Sequence, residues 1–288
     1  MKFPLCTLYV PGNRKDLIEK AVEYGFDALI IDLEDTVPIH LKEQTRWEVA
    51  DIIPKLKDVC TVRINSEPSY LEEDLNAVVS KHIYGVVIPK VESVTLVEKV
   101  DDILNVLERE RSLEANSIKL LLLIESALGV VKCFEIASAA RRVETVIFAS
   151  MQDGDLHRDL KCEWSIEGTE FLYARSKVLL DARAAGLKYV LDGAFGNIKD
   201  EEALRKDCDL SRRLGYDGRT LIDPKQLPIA REVYSTSSHK LSYYKRMVRA
   251  FEEAEKEGLA AVSFEGHFID YATYKMAKEE LSRLIHSQ

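Results

Sequence analysis

The chain has 288 residues, 46% of them hydrophobic, with a formal net charge of −9, a length that suits one α/β barrel of about 250 residues plus a tail. The negative balance, with 40 Lys and Arg interspersed among acids, excludes a non-specific nucleic-acid binder, which needs clustered cations to neutralise phosphates. Five widely spaced cysteines without a C-x-x-C pair exclude a zinc ribbon and a disulfide framework.

The start, MKFPLCTLYVPG, lacks the charged and long apolar regions of a signal peptide, and the run Leu120–Ile124 is too short to span a bilayer, so a cytoplasmic protein is expected. Eight short apolar runs follow in order. They are LCTLYV from Leu5, ALIIDL from Ala28, VCTVRI from Val59, GVVIPK from Gly85, IKLLLLIE from Ile118, TVIFAS from Thr145, YVLDGAF from Tyr189 and YDGRTLI from Tyr216. Their continuous apolar character predicts parallel strands buried on both faces. Amphipathic stretches separate them. RKDLIEKAVEYG places Leu17, Ile18, Ala21 and Val22 on one face and stops at Gly25, and further helices are expected over Val94–Arg111 and Thr169–Ala185, the last ended by Gly186. Eight such repeats predict a (β/α)8 TIM barrel over residues 1–235, and the lack of a G-x-G-x-x-G or Walker loop removes the nucleotide site of an open doubly wound sheet. Residues 236–288 predict a C-terminal helical extension, with helices over His239–Gly258 and Asp270–His286 and a short Gly-containing link between them.

Barrel chemistry sits at the C-terminal ends of strands. Those ends carry Asp32, Glu34 and Asp35, then Arg63 and Asn65, Lys90, Glu125, Asp153 and Asp155, Asp192 and Asp223. Carboxylates crowded into one mouth repel unless cations intervene. A divalent metal answers that need, with Arg63 and Lys90 as added counter-charges, and oxygen ligands without a Cys or His cluster favour Mg2+ over Zn2+. Plainer readings stand beside these. Asp32, Glu34 and Asp35 suit helix capping, Arg63 suits a buried ion pair as well as a planar carboxylate, Glu125 suits a solvent-facing helix start, His157 suits a loop, and Trp47 and Trp164 suit packing.

At these residues the sequence resembles the citrate lyase beta-subunit-like branch of the HpcH/HpaI aldolase superfamily. The resemblance runs through LYVPGNR from Leu8, GFDALIIDLEDTV from Gly25, VRIN from Val62, GVVIPKVES from Gly85 and LLLIESALGV from Leu121. It continues through DLHRDL from Asp155, YARSKVLLDARAAGL from Tyr173, LDGAFGNIKDEEAL from Leu191, LGYDGRTLIDPKQL from Leu214 and EGHFIDYATYKMA from Glu265. It implies a Mg2+-dependent carbon–carbon lyase of the citryl-CoA or malyl-CoA type, handling a 3-hydroxyacid unit as a thioester and releasing or using a keto-acid. It further implies that Glu125 and Asp155 hold Mg2+, with Asp153 a rival ligand, and that Arg63 and Lys90 bind substrate. Glu34, Asp35 and Asp270 would act catalytically, Asp270 on a neighbouring subunit of a homotrimer or homohexamer against which the extension packs.

The family arginine ahead of the first strand is Leu5 here, and the histidine of its IHP motif is Asp223. These departures favour an alternative, a metal-dependent aldolase acting on free keto-acids without CoA. A non-catalytic subunit retaining the barrel is the third reading, opposed by Arg63, Glu125 and Asp155.

Overall fold

The structure, a computed structural model, describes residues 6–56, 59–235 and 238–286. Leu5, where the first expected strand begins, lies outside them. Eight parallel strands close in chain order into a barrel: β1 Cys6–Pro11, β2 Ala28–Asp32, β3 Val59–Arg63, β4 Gly85–Ile88, β5 Lys119–Ile124, β6 Val143–Phe148, β7 Tyr189–Asp192 and β8 Gly218–Leu221. The expected (β/α)8 architecture is therefore present. Side chains of alternate residues fill the lumen as a small core of Ile30, Val87, Leu121, Leu123, Ile147 and Leu191. The opposite strand faces join the helices in the main core, as Leu29 and Ile31, Val86 and Ile88, and Leu120 and Leu122 do. Burial on both faces is why these strands read as unbroken apolar runs.

The helices outside the barrel are α1 Lys15–Glu23, α2 Lys42–Ile52, α3 Pro68–Val78, α4 Val94–Glu110, the short α5 Ala127–Val131, α6 Cys133–Ala137 and α7 Asp155–Leu160, then α8 Leu172–Ala184, α9 Glu201–Leu214 and α10 Gln226–Tyr234. Gly25 and Gly186 follow α1 and α8 with φ of 68° and 85°, the left-handed turn that glycine adopts without strain. Ser93 Oγ accepts from Leu96 N at 3.3 Å and so caps α4. The connection after β5 carries two short helices, α5 and α6, and Glu125 precedes them.

The chain divides into two compact units, the barrel ending at Tyr234 and a second unit from Ser235. The second unit contains α11 Ser238–Lys256, β9 Ala261–Phe264, β10 His267–Asp270 and α12 Tyr271–His286. The expected link is thus an antiparallel hairpin. Glu265 and Gly266 make its two-residue turn with φ of 47° and 80°, both positive as a type I′ turn requires. The unit has a core of its own, made by Met247, Phe251, Ile269 and Ala277, with the Phe251 and Tyr274 rings stacked at 4.7 Å. Among the described residues no helix is long and apolar enough to cross a membrane.

Candidate active site

The ends of β2 and β3 are joined by charge. Asp32 is fully buried and accepts from Arg63 Nε and Nη2, each at 2.7 Å. Its oxygens also accept from Glu34 N at 3.0 Å, Thr36 N at 3.1 Å and Thr36 Oγ1 at 2.6 Å, which bends the loop after β2. Burial opposes ionisation of Asp32, but the Arg63 hydrogen bonds and charge outweigh it and hold the carboxyl below its ordinary range. Asp32, expected among the mouth carboxylates, is instead the internal partner of Arg63, and the two-pronged contact expected for a substrate carboxylate goes to Asp32. Arg63 Nη1 remains, 3.1 Å from Glu34 Oε2. Tyr9 supports the guanidinium, with its ring centroid 5.1 Å from Arg63 Cζ. Its hydroxyl is buried without a hydrogen-bond partner.

The same loop turns Glu34 into the mouth. Lys42 makes this possible: its buried ammonium donates to Leu33 O at 3.0 Å and Glu34 O at 2.7 Å, and to Asn65 Oδ1. Asn65 is fully buried and donates through N and Nδ2 to Asp74 Oδ2 at 2.9 and 2.7 Å. Asn65 is therefore scaffold behind the mouth rather than part of it. On the β1 side, Gly12 N donates to Asp32 O at 2.8 Å, and a Cβ there would sit 2.6 Å from that oxygen. Glycine is required for this approach.

Lys90 follows β4 with φ of 51°, the left-handed region, which a lysine occupies at a cost of order 1–3 kcal/mol. Its backbone N donates to Glu125 Oε1 at 2.8 Å. Its ammonium donates to Glu34 Oε1 at 2.8 Å and lies 3.5 Å from Asp35 Oδ1 and 3.6 Å from Asp155 Oδ2. The ammonium is held protonated against burial by Glu34, with help from Asp35 and Asp155. Glu125 closes the group from β5. Burial, then repulsion from Glu34, pushes its carboxyl up to about 8, and burial likewise raises Glu34. Asp155 opens α7 and pairs also with Arg158 on the same helix.

Glu34, Asp35, Arg63, Lys90, Glu125 and Asp155 thus meet at one mouth, as expected. Other expected members do not join them. Asp153 is highly exposed and its backbone N donates to His157 Nδ1 at 2.9 Å, while His157 Nε2 is bonded to Cys162 O at 2.9 Å. Asp192 is fully buried and bound by Ser150 Oγ, Gly193 N and Arg175. Asp223 accepts from Lys225 N in a turn. Asp270 is placed in the second unit, where Oδ1 accepts from Thr273 N and Oγ1 at 2.8 and 2.9 Å, capping α12. Trp164 packs at 6.2 Å from Phe195, whereas Trp47, expected to pack, is exposed.

Three features escaped sequence reasoning: Tyr9, the Lys42–Asn65–Asp74 scaffold and a buried network behind β7 and β8. In the last, Asp207 bridges Arg175 at 3.0 Å and Arg219 at 2.8 Å. Only the burial of cations inside otherwise apolar strands and helices could have signalled it.

The donor set suits a hard divalent cation. Its members are carboxylate oxygens, Glu125 Oε1 receives one backbone hydrogen bond, and Glu34 Oε2 accepts none. Among the described residues no three His, Cys, Asp or Glu side chains are grouped closely enough to hold a metal ion by themselves. The Lys90 ammonium stands between Glu34 and Asp155 instead.

Residues 5–224 match the family model described as HpcH/HpaI aldolase/citrate lyase. The citrate lyase subunit beta of Haemophilus influenzae is 35% identical over 289 aligned positions, covering 98% of this chain and 97% of that one. A (3S)-malyl-CoA thioesterase of Cereibacter sphaeroides is 32% identical, covering 96% and 93%. Among solved structures, CitE of Mycobacterium tuberculosis in complex with magnesium, acetoacetate and coenzyme A superposes with a TM-score of 0.76 at 26% identity, covering 98% of each chain. A barrel mouth of acids and paired cations and matches along nearly the whole length lead to one assignment: the chain belongs to the HpcH/HpaI aldolase/citrate lyase family, whose members here are enzymes.

Proposed function

We propose that the protein is a Mg2+-dependent carbon–carbon lyase that cleaves a 3-hydroxyacid thioester of the citryl-CoA or malyl-CoA kind into an acetyl thioester and a keto-acid, or runs the reverse condensation. The observation that supports it most is the buried Glu125 carboxylate, grouped with Glu34, Asp155 and Lys90 beside Arg63 at the strand ends. Glu125 and Asp155 would hold Mg2+, in preference to the exposed Asp153. When bound, the ion would act as a Lewis acid toward oxygens of the keto-acid and the charge that develops on cleavage.

The protein's own groups carry the rest. Arg63, fixed by Asp32, presents Nη1 to a substrate carboxylate as a charge-assisted donor. Lys90 supplies a second cation and keeps Glu34 turned into the mouth. Glu34, with its raised proton affinity, suits proton transfer from the carbinol hydroxyl through a water. Asp35 lines the rim. Asp270 would serve as a base supplied to a neighbouring subunit of a homotrimer or homohexamer, against which the second unit packs. A cytoplasmic setting, where acyl-CoA and keto-acids meet, completes the reading.

Product analysis tests it. Malyl-CoA or citryl-CoA incubated with Mg2+ should give acetyl-CoA and a keto-acid in equal amounts, and EDTA should stop it. Free CoA with intact hydroxyacid would instead indicate thioester hydrolysis, as the Cereibacter relative is named for. Turnover confined to free keto-acid aldol adducts would indicate an aldolase without CoA.

A further inference from the structure

Lys90 touches every acidic group proposed around the metal, and its contacts are graded. Glu34 Oε1 is hydrogen-bonded at 2.8 Å, whereas Asp155 Oδ2 is 3.6 Å away, an ion pair without a hydrogen bond. The residue is anchored where it stands: its N binds Glu125 Oε1, and its φ of 51° fixes the direction of the side chain. Charge makes the ammonium necessary. Asp32, Glu34, Asp35, Glu125 and Asp155 face Arg63 and Lys90, with Arg158 pairing with Asp155, and Arg63 is committed chiefly to Asp32. Without Lys90, Glu34, Asp35 and Glu125 would share one partly occupied guanidinium and Asp155 would keep Arg158 alone, a repulsive arrangement.

We propose that Lys90 is a tethered stand-in cation: without a divalent ion its ammonium joins Glu34 to Asp155, and loading of Mg2+ transfers Asp155 from Lys90 to the ion while Glu34 stays on Lys90. The inference rests on the metal assignment made above. Asp155 is the partner that leaves because it holds Lys90 least closely and opens a short helix, α7. Glu34 stays because it is buried and hydrogen-bonded. Lys90 is then a positioning residue. It keeps the acids gathered between turnovers and competes electrostatically with the ion it makes room for.

Competition gives the test. The full chain, stripped with EDTA and free of substrate, is titrated with MgCl2 by calorimetry as wild type, Lys90→Met and Lys90→Arg. Lys90→Met should bind Mg2+ about tenfold more tightly, because a unit charge no longer opposes a double one. Lys90→Arg should stay within about twofold of wild type on the same argument. A role limited to packing would leave affinity unchanged in Lys90→Met, and a direct supporting role would weaken it; either result overturns the inference. A second measurement needs no variant. Acetic anhydride labelling of the wild type, read by mass spectrometry, should rise at Lys90 on Mg2+ saturation, and constant or reduced labelling overturns the inference even if Lys90→Met fails to fold. Wild type that binds no Mg2+ removes the metal assignment together with this inference, whereas wild type that binds with an unchanged Lys90→Met removes this inference alone.

Discussion

Replacing Asp32 with asparagine exchanges one carboxylate oxygen for an amide nitrogen and removes the charge that fixes Arg63. In the folded barrel Asp32 is fully buried and accepts two 2.7 Å bonds from Arg63 and three more from Glu34 N, Thr36 N and Thr36 Oγ1. The neutral amide would take from Arg63, a residue only 8% exposed, its two-pronged anion and leave Glu34 on Nη1 as the nearest charge, and breaking a buried pair this way costs about 3–5 kcal/mol. For a unit of this size that corresponds to a fall in Tm of roughly 6–20 °C. The pH dependence has a definite sign. The folded-state pKa of Asp32 lies below its ordinary value, so its stabilisation is fully present above the unfolded value of about 3.9. It is lost as the pH falls through the folded value. Wild type and Asp32→Asn should therefore differ by a constant amount from about pH 5 upward and converge below about pH 4. Differential scanning calorimetry across that range measures it. A loss under about 2 °C, or a gap that persists undiminished in acid, would refute the view that this pair holds the mouth together.

Glu34→Gln should behave oppositely: its carboxyl is raised by burial, so its ionisation weakens the fold progressively above the unfolded value. The variant should melt no lower than wild type at pH 7 yet turn over substrate at least about tenfold more slowly, in line with the loss of a general base, read by calorimetry beside a product assay. Glu125→Gln should stay folded by circular dichroism and lose Mg2+-dependent activity; near-normal turnover would end its assignment as a ligand. Lys42→Met strips the ammonium from Glu34 O and Asn65 Oδ1, while Leu33 O keeps Asn65 Nδ2; this costs about 1–3 kcal/mol per unsatisfied group and should lower kcat more than it raises KM because it frees the Glu34 loop. Asp270→Ala chains mixed with Glu125→Gln chains should regain partial activity if Asp270 serves a neighbouring site; no recovery despite proven exchange leaves it as the cap that Thr273 shows it to be.

The barrel was legible because strands buried on both faces carry their apolar character in the sequence itself, with Gly25 and Gly186 punctuating the helices. The hairpin at Glu265–Gly266 was not, since Glu-Gly lacks the Asn-Gly or Asp-Gly signature and its strands are only half buried. Strand-end position identified Glu34, Arg63, Lys90, Glu125 and Asp155 as neighbours, because topology alone brings those ends together. It could not say which side chains satisfy each other. Asp32, Asn65 and Asp192 occupy the same kind of position, yet Arg63, Asp74 and Arg175 draw them into the scaffold. The supporting cations Lys42, Arg175 and Arg219 sit where patterning predicts apolar or solvent-facing residues, and only their packed partners explain them.

Stabilisation of negative charge on a carbon acid at this mouth is read directly by proton exchange. In D2O with Mg2+, 1H NMR should show loss of the methyl signal of acetyl-CoA, promoted by the keto-acid partner, in wild type and not in Glu125→Gln. Hydrolysis of the thioester with the methyl protons fully retained would contradict it.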